Sequence, residues 1–200
     1  MSTSESADST VRTQLDAIVH EYRQTGDVAR LLDRVGALSA EASTAELWPA
    51  AEAYREMHEV SGPMYEVIVE REPQNARAIV ALANAFWLTG RGPDVVGALA
   101  SRAISADPTN RGAWHLWALS EGSQRQRVQR WQQVVARFPG DQLAQATLAD
   151  NASSLASAEN DPVAMKLAIA TYEGLLTSAS HPDQKKVLES ALATLRKWTV

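Results

Sequence analysis

The pentapeptide His58-Glu59-Val60-Ser61-Gly62 opens like a zinc-protease helix, in which two histidines four residues apart hold the metal and the glutamate between them acts as general base. Gly62 stands where the second histidine belongs, so one helix face cannot ligate zinc. His20, His115 and His181 are far apart in sequence and read as exposed or capping side chains. There is no cysteine, which excludes disulfides and thiolate metal sites. Gly90-Arg91-Gly92 runs into Pro93 without a third glycine or a preceding strand, and no GxxxxGK[ST] element is present, so no loop is expected to cradle a nucleotide phosphate. Asn151-Ala152-Ser153 fits the glycosylation sequon but falls in a predicted helix. The carboxylates are spread along helix faces, where solvated charge accounts for them better than a paired acid and base. No catalytic residue, cofactor or metal is expected.

Charge narrows the partners. Net charge is −5, but residues 1–73 carry 6 basic and 14 acidic side chains while residues 74–200 carry 13 and 10. An acidic front repels phosphate backbones, so no nucleic-acid partner is expected. The one basic concentration, Arg125, Arg127, Arg130 and Arg137 on a helix from Gln124 to Arg137, reads as an exposed face whose long side chains cover apolar neighbours, or as a basic groove for an acidic peptide. The longest strongly apolar run, Ala78 to Leu88, is interrupted by Asn84 and is short of the roughly 18 residues a membrane span needs, so no membrane association is expected. The first eight residues hold neither a basic side chain nor an apolar core, which argues against a secretory signal and makes a cytoplasmic location the expectation.

Helices must position whatever these groups do. Two helix pairs run Ala76 to Pro108 and Arg111 to Pro139. In the first, Ile79, Leu82, Ala83 and Phe86 fall at helical spacing, Gly90 marks a turn, and a second helix with Val96, Ala100 and Ala103 closes on Asp107-Pro108-Thr109-Asn110. The second opens Ala113-Trp114, passes Trp117 and Ala118, and closes on Phe138-Pro139-Gly140-Asp141. Upstream, residues 1–9 are Ser/Thr-rich and predicted to be disordered. Ser9 or Thr10 is predicted to cap a helix with Leu15, Ile18, Val19 and Tyr22 inward, followed by one from Val28 to about Leu38 with Leu31, Leu32 and Val35 inward. Ser43-Thr44 starts a helix that ends near His58, and Ser61-Gly62-Pro63 is predicted to turn the chain into a helix from Pro63 to Arg71. Downstream, helices are predicted from Asp141 to about Ala156, from Asp161-Pro162, and from His181-Pro182-Asp183, the last with Val187, Leu188, Ala191, Leu192, Leu195 and Trp198 on one stripe. That makes about eleven helices, five antiparallel pairs and a cap. No segment alternates with period two, so no sheet is expected.

The central units resemble the tetratricopeptide repeat, whose signature is Trp or Leu at the fourth position, a small residue at the eighth, an aromatic at the eleventh, small residues in the second helix and a closing proline. Pro73, Pro108 and Pro139 lie 35 and 31 residues apart, on either side of the family's period of roughly 34. The resemblance is clearest from Ala76 to Pro139 and thins before Ser61. It implies an all-α, right-handed α-solenoid over residues 10–180, closed by a capping helix over residues 181–200, with a protein-binding rather than an enzymatic role.

In repeats of this family the concave groove is lined by the face that here carries Arg77, Val80, Asn84 and Trp87, spaced by three, four and three residues. His115 and Leu119 match those positions in the next unit, and Leu143, Ala146 and Asp150 in the one after. The resemblance thus implies a protein or peptide partner lying over Arg77, Val80, Asn84, Trp87, His115, Leu119 and Asp150, with Asn84 bonding its backbone and Trp87 supplying apolar contact. Trp87 packed against neighbouring helices is the competing reading. Trp114, Trp117 and Trp131 are read as core. The family's clamp for a C-terminal carboxylate is not expected, because Val80, His115 and Ala146 stand where it needs basic or amide side chains. The expected function is that of an adaptor, assembly factor or chaperone. The alternative is a structural subunit that self-associates or docks permanently in a larger complex.

Overall fold

Helical periodicity is realised along nearly the whole chain. A computed structural model describes residues 3–198, and these form eleven helices without a strand: α1 Thr3–Thr25, α2 Val28–Glu41, α3 Thr44–Ala53, α4 His58–Arg71, α5 Ala76–Leu88, α6 Pro93–Ala106, α7 Arg111–Leu119, α8 Gln124–Arg137, α9 Gln142–Glu159, α10 Pro162–Ser178 and α11 Pro182–Lys197. Two compact units divide within α7, the first Met1–Leu116 and the second Trp117–Val200. Short connections fold α1 with α2, α3 with α4, α5 with α6, and α9 with α10 as packed pairs.

One turn recurs three times, at Glu72-Pro73-Gln74-Asn75, Asp107-Pro108-Thr109-Asn110 and Phe138-Pro139-Gly140-Asp141. The first residue of each closes the preceding helix, its amide donating at 2.8 Å to Ile68, Ala103 or Val134. The proline then prevents the helix from continuing. The fourth residue caps the next helix: Asn75, Asn110 and Asp141 each accept from an amide three residues on, at 3.1 Å in all three turns. Two turns are tied again from the fourth residue after the cap, where Trp114 Nε1 donates to the Pro108 carbonyl at 3.0 Å and Gln145 to that of Pro139 at 2.6 Å. Counted from the same caps, Ala78, Ala113 and Ala144 (three on) and Ala83, Ala118 and Ala149 (eight on) are all fully buried. Side chains this small let neighbouring helices approach closely.

Within the first unit Leu15, Leu31, Leu47, Met64, Ile79 and Val96 are among the fully buried side chains, one from each of α1 to α6. Arg71 of α4 closes the C-terminus of α2 by donating to the carbonyls of Ser39, Ala40 and Ala42. Between α5 and α6 the chain reverses through Gly90 and Gly92, whose φ values of 74° and 98° lie in the region other residues avoid. In the second unit α11 packs on α10 through Leu188 against Leu175 and Ala179.

The structure corrects the predicted elements in four places. The helix predicted from Ser9 or Thr10 begins at Thr3, extending into the stretch expected to be disordered; Met1 and Ser2 lie outside the described residues. The chain turns at residues 54–57 rather than at Ser61-Gly62-Pro63, which lie inside α4. Ser61 and Gly62 are buried there, and Gly62 sits where an added Cβ would make ordinary contact, 3.8 Å, with Ala85 of α5. Pro63 is the sixth residue of α4 as Pro49 is of α3, so each helix forgoes one internal bond. Leu32, expected inward, is 42% exposed, and Val187 and Trp198, placed on the inward stripe of the last helix, are 68% and 60% exposed. For α11, which packs on α10, a single neighbour covers a narrower stripe than its apolar residues span.

The repeated caps carry a measurable share of stability. Asn75→Ala and Asn110→Ala should each cost about 1 kcal/mol in urea denaturation, and Asn→Ser at either position should cost much less. Gly92→Ala should destabilise by about 1 kcal/mol or more, because its positive φ admits a side chain only under strain.

Candidate binding grooves

Placing Arg77 on α5 and Trp48 and Glu52 on α3 brings together groups that lie 25 to 29 residues apart in sequence. The Arg77 guanidinium stacks 4.3 Å over the Trp48 ring and its Nη2 reaches a Glu52 carboxylate oxygen at 3.4 Å. Tyr65, buried on α4, donates its hydroxyl to the other Glu52 oxygen at 2.8 Å. The two rings tilt against one another with centroids 5.6 Å apart. Burial first, and the Glu52 carboxylate second, push the Tyr65 phenol well above its ordinary pKa. These groups wall a groove of 310 Å³ that Val80, Asn84 and His58 also line, and the Trp48–Arg77 stack separates it from a second hollow of 330 Å³ beside Thr44 and Glu72.

Three of the residues picked out from sequence, Arg77, Val80 and Asn84, therefore line one groove. Val80 is half-buried, and a Cβ added to Gly112 of α7 would meet it at 3.3 Å. Trp87, one turn further along α5, does not line this groove and is 36% exposed. His115 is half-buried on α7 within the first unit. Leu119 and Asp150 belong to the second unit, Leu119 37% exposed. Sequence reading missed Trp48, Glu52 and Tyr65. Their weaker repeat pattern hid them, although Trp48 and Glu52 are four residues apart and so share a helix face.

The second unit has its own groove, 760 Å³, lined by Ser153 of α9, Tyr172 of α10 and Lys186, Val187, Ser190 and Leu195 of α11. Asp150 enters here through Tyr172, whose hydroxyl donates to its carboxylate. Three of the four arginines of α8 are engaged within this unit. Arg125 pairs with Glu159 and Asp161, Arg127 donates to the Glu121 and Gly122 carbonyls, and Arg130 pairs with Glu121 while stacking 4.5 Å from the Trp117 ring. Those three therefore act as structural cations. Trp131 is core as expected, whereas Trp114 and Trp117 are only partly buried. Among the described residues no three His, Asp or Glu side chains come together to hold a metal, and no helix is long and apolar enough to cross a membrane.

No protein-family model matches this sequence, and no curated protein does. Solved structures match it in fold. The crystal structure of MamA aligns with a TM-score of 0.59 at 14% identity, over 86% of this chain and 98% of that one. TTC0263, a thermophilic TPR protein of Thermus thermophilus, gives 0.57 at 16% identity over 92% and 99%. YrrB, described as a TPR protein with an unusual peptide-binding site, gives 0.54 at 16% over 76% and 81%. The chain thus has the tetratricopeptide-repeat fold, the all-α class of helix pairs its sequence resembles.

The Tyr65 bond to Glu52 makes a pH-dependent contribution. A phenol whose pKa is raised by folding stabilises the native state fully below the unfolded value of about 10 and loses that contribution as pH rises. Tyr65→Phe should cost about 1 kcal/mol in urea denaturation at neutral pH and should flatten the decline in stability above about pH 10. An equally steep decline in the variant would assign the alkaline loss to other groups.

Proposed function

We propose that this chain is a non-enzymatic protein-binding module, a cytoplasmic adaptor, assembly factor or chaperone, whose partner lays an extended or helical peptide across the face formed by α3 and α5. The observation that carries this reading is the groove itself, in which Arg77, Val80 and Asn84 of one helix face meet the Trp48 and Tyr65 rings. Aromatic and arginine side chains dominate the energetics of protein interfaces, and an exposed asparagine supplies both a donor and an acceptor to a peptide backbone. Trp87 and His115 extend this surface beyond the groove. Leu119 and Asp150 serve the second unit's surface. YrrB, similar in fold, is described as having an unusual peptide-binding site, which supports a peptide ligand here.

A structural-subunit role is favoured by a different observation. Val163, Val187 and Trp198 leave 74%, 68% and 60% of their surface exposed in the second unit, apolar area that a permanent partner would cover.

Partner capture from lysate of the source organism separates the two. Asn84→Ala combined with Trp87→Ala should leave the thermal midpoint nearly unchanged and weaken capture by about tenfold or more. Undiminished capture by the folded variant would remove the groove assignment. Capture of copies of the bait alone, with a dimer mass in light scattering, would favour the structural subunit.

A further inference from the structure

Resting on that groove reading, we infer that the groove accepts an arginine or lysine side chain of a basic partner segment between the Trp48 ring and the Glu52 carboxylate, and that Arg77 is the exchangeable internal occupant of this box. An indole face and a carboxylate are together the chemistry that recognises a cation. Tyr65 fixes the carboxylate by donating to one oxygen at 2.8 Å. The other oxygen meets Arg77 at 3.4 Å, well beyond the 2.7 to 2.9 Å typical of a charge-assisted bond. The Arg77 side chain is 69% exposed, so it can swing into water at little cost.

Two comparable arginine, aromatic and carboxylate sets elsewhere in the described residues hold their carboxylates tightly. Arg130 holds Glu121 at 2.6 Å with side chains 26% and 12% exposed, and Arg12 holds Asp16 at 2.9 Å one turn away on its own helix. The Arg77 set alone among these three opens on a groove and holds its carboxylate loosely. Residues 1–116 carry 10 basic and 16 acidic side chains, a net charge of −6 that attracts a basic segment from a distance. Arg55 at the groove rim is already paired with Glu56 at 3.1 Å.

The exchange makes an unusual demand on mutants, because deleting a groove arginine must strengthen binding. A fluorescent peptide of alternating arginine and glycine, and a matching peptide with glutamate for arginine, are titrated into the full chain at low salt. The basic probe should bind the native protein weakly, bind Arg77→Ala about tenfold more tightly because the internal competitor is gone, and lose binding to Glu52→Gln. Arg102→Ala and Asp33→Asn make the same charge changes away from the groove and should shift affinity far less. If these controls match the groove variants, binding is diffuse attraction and the box is refuted. If the acidic probe binds instead and Arg77→Ala abolishes it, the groove stands as a peptide site but with the opposite ligand charge. If neither probe binds any variant, the cation box is wrong, while partner capture by the Asn84 and Trp87 variant still decides the groove independently.

Discussion

Every helix begins with amides and ends with carbonyls that have no partner of their own, and the eleven helices of the described residues meet that problem at each junction. The four-residue turn around Pro73, Pro108 and Pro139 meets it in a fixed order: a closing amide, a proline that stops the helix, and an Asn or Asp that caps the next. Because the turn fixes where each following helix starts, it also fixes which of its residues face inward. The buried alanines three and eight positions after each cap follow from that register. So does the groove, since Arg77, Val80 and Asn84 lie two, five and nine positions after Asn75.

The first helices of the three pairs in the first unit are joined by polar contacts beside aromatic rings. Tyr54 reaches back from α3 to Asp16 of α1 at 2.5 Å, and Arg77 of α5 reaches back to Trp48 and Glu52 of α3. The Tyr54 hydrogen bond, ahead of Arg12, holds the Asp16 carboxyl below the usual carboxylate range. Such contacts on a partly wet face contribute modestly to stability. Their larger effect is to hold charged groups in place on a surface that the alanine-lined interior supports from behind, which is what a binding face requires.

The repeated part of the architecture was legible because its signals are redundant. Proline, cap residue and alanine spacing agree from Ala76 to Pro139, and all three arise from the same local physics. Near Pro63 the signals conflict: Ser61-Gly62-Pro63 has the composition of a turn, yet the packing of α4 against α5 buries Ser61 and Gly62 inside a helix. Tertiary contact outweighs local preference there. Spacing put Arg77, Val80 and Asn84 on one helix face and the repeat resemblance singled that face out, whereas Trp48, Glu52 and Tyr65 come from a pair whose repeat pattern is weak. Trp87 shows the limit of angular reasoning. A position on the right face does not fix whether neighbouring helices reach far enough to make it part of a groove.

The central claim is that the face of α3 and α5 meets the partner, and amide hydrogen exchange of the native chain with and without its captured partner tests it most directly. The account predicts slowed exchange over residues 44–53 and 76–88 on complex formation, with the α10 and α11 amides unchanged. Protection confined to α10 and α11 would place the contact in the second unit and contradict it.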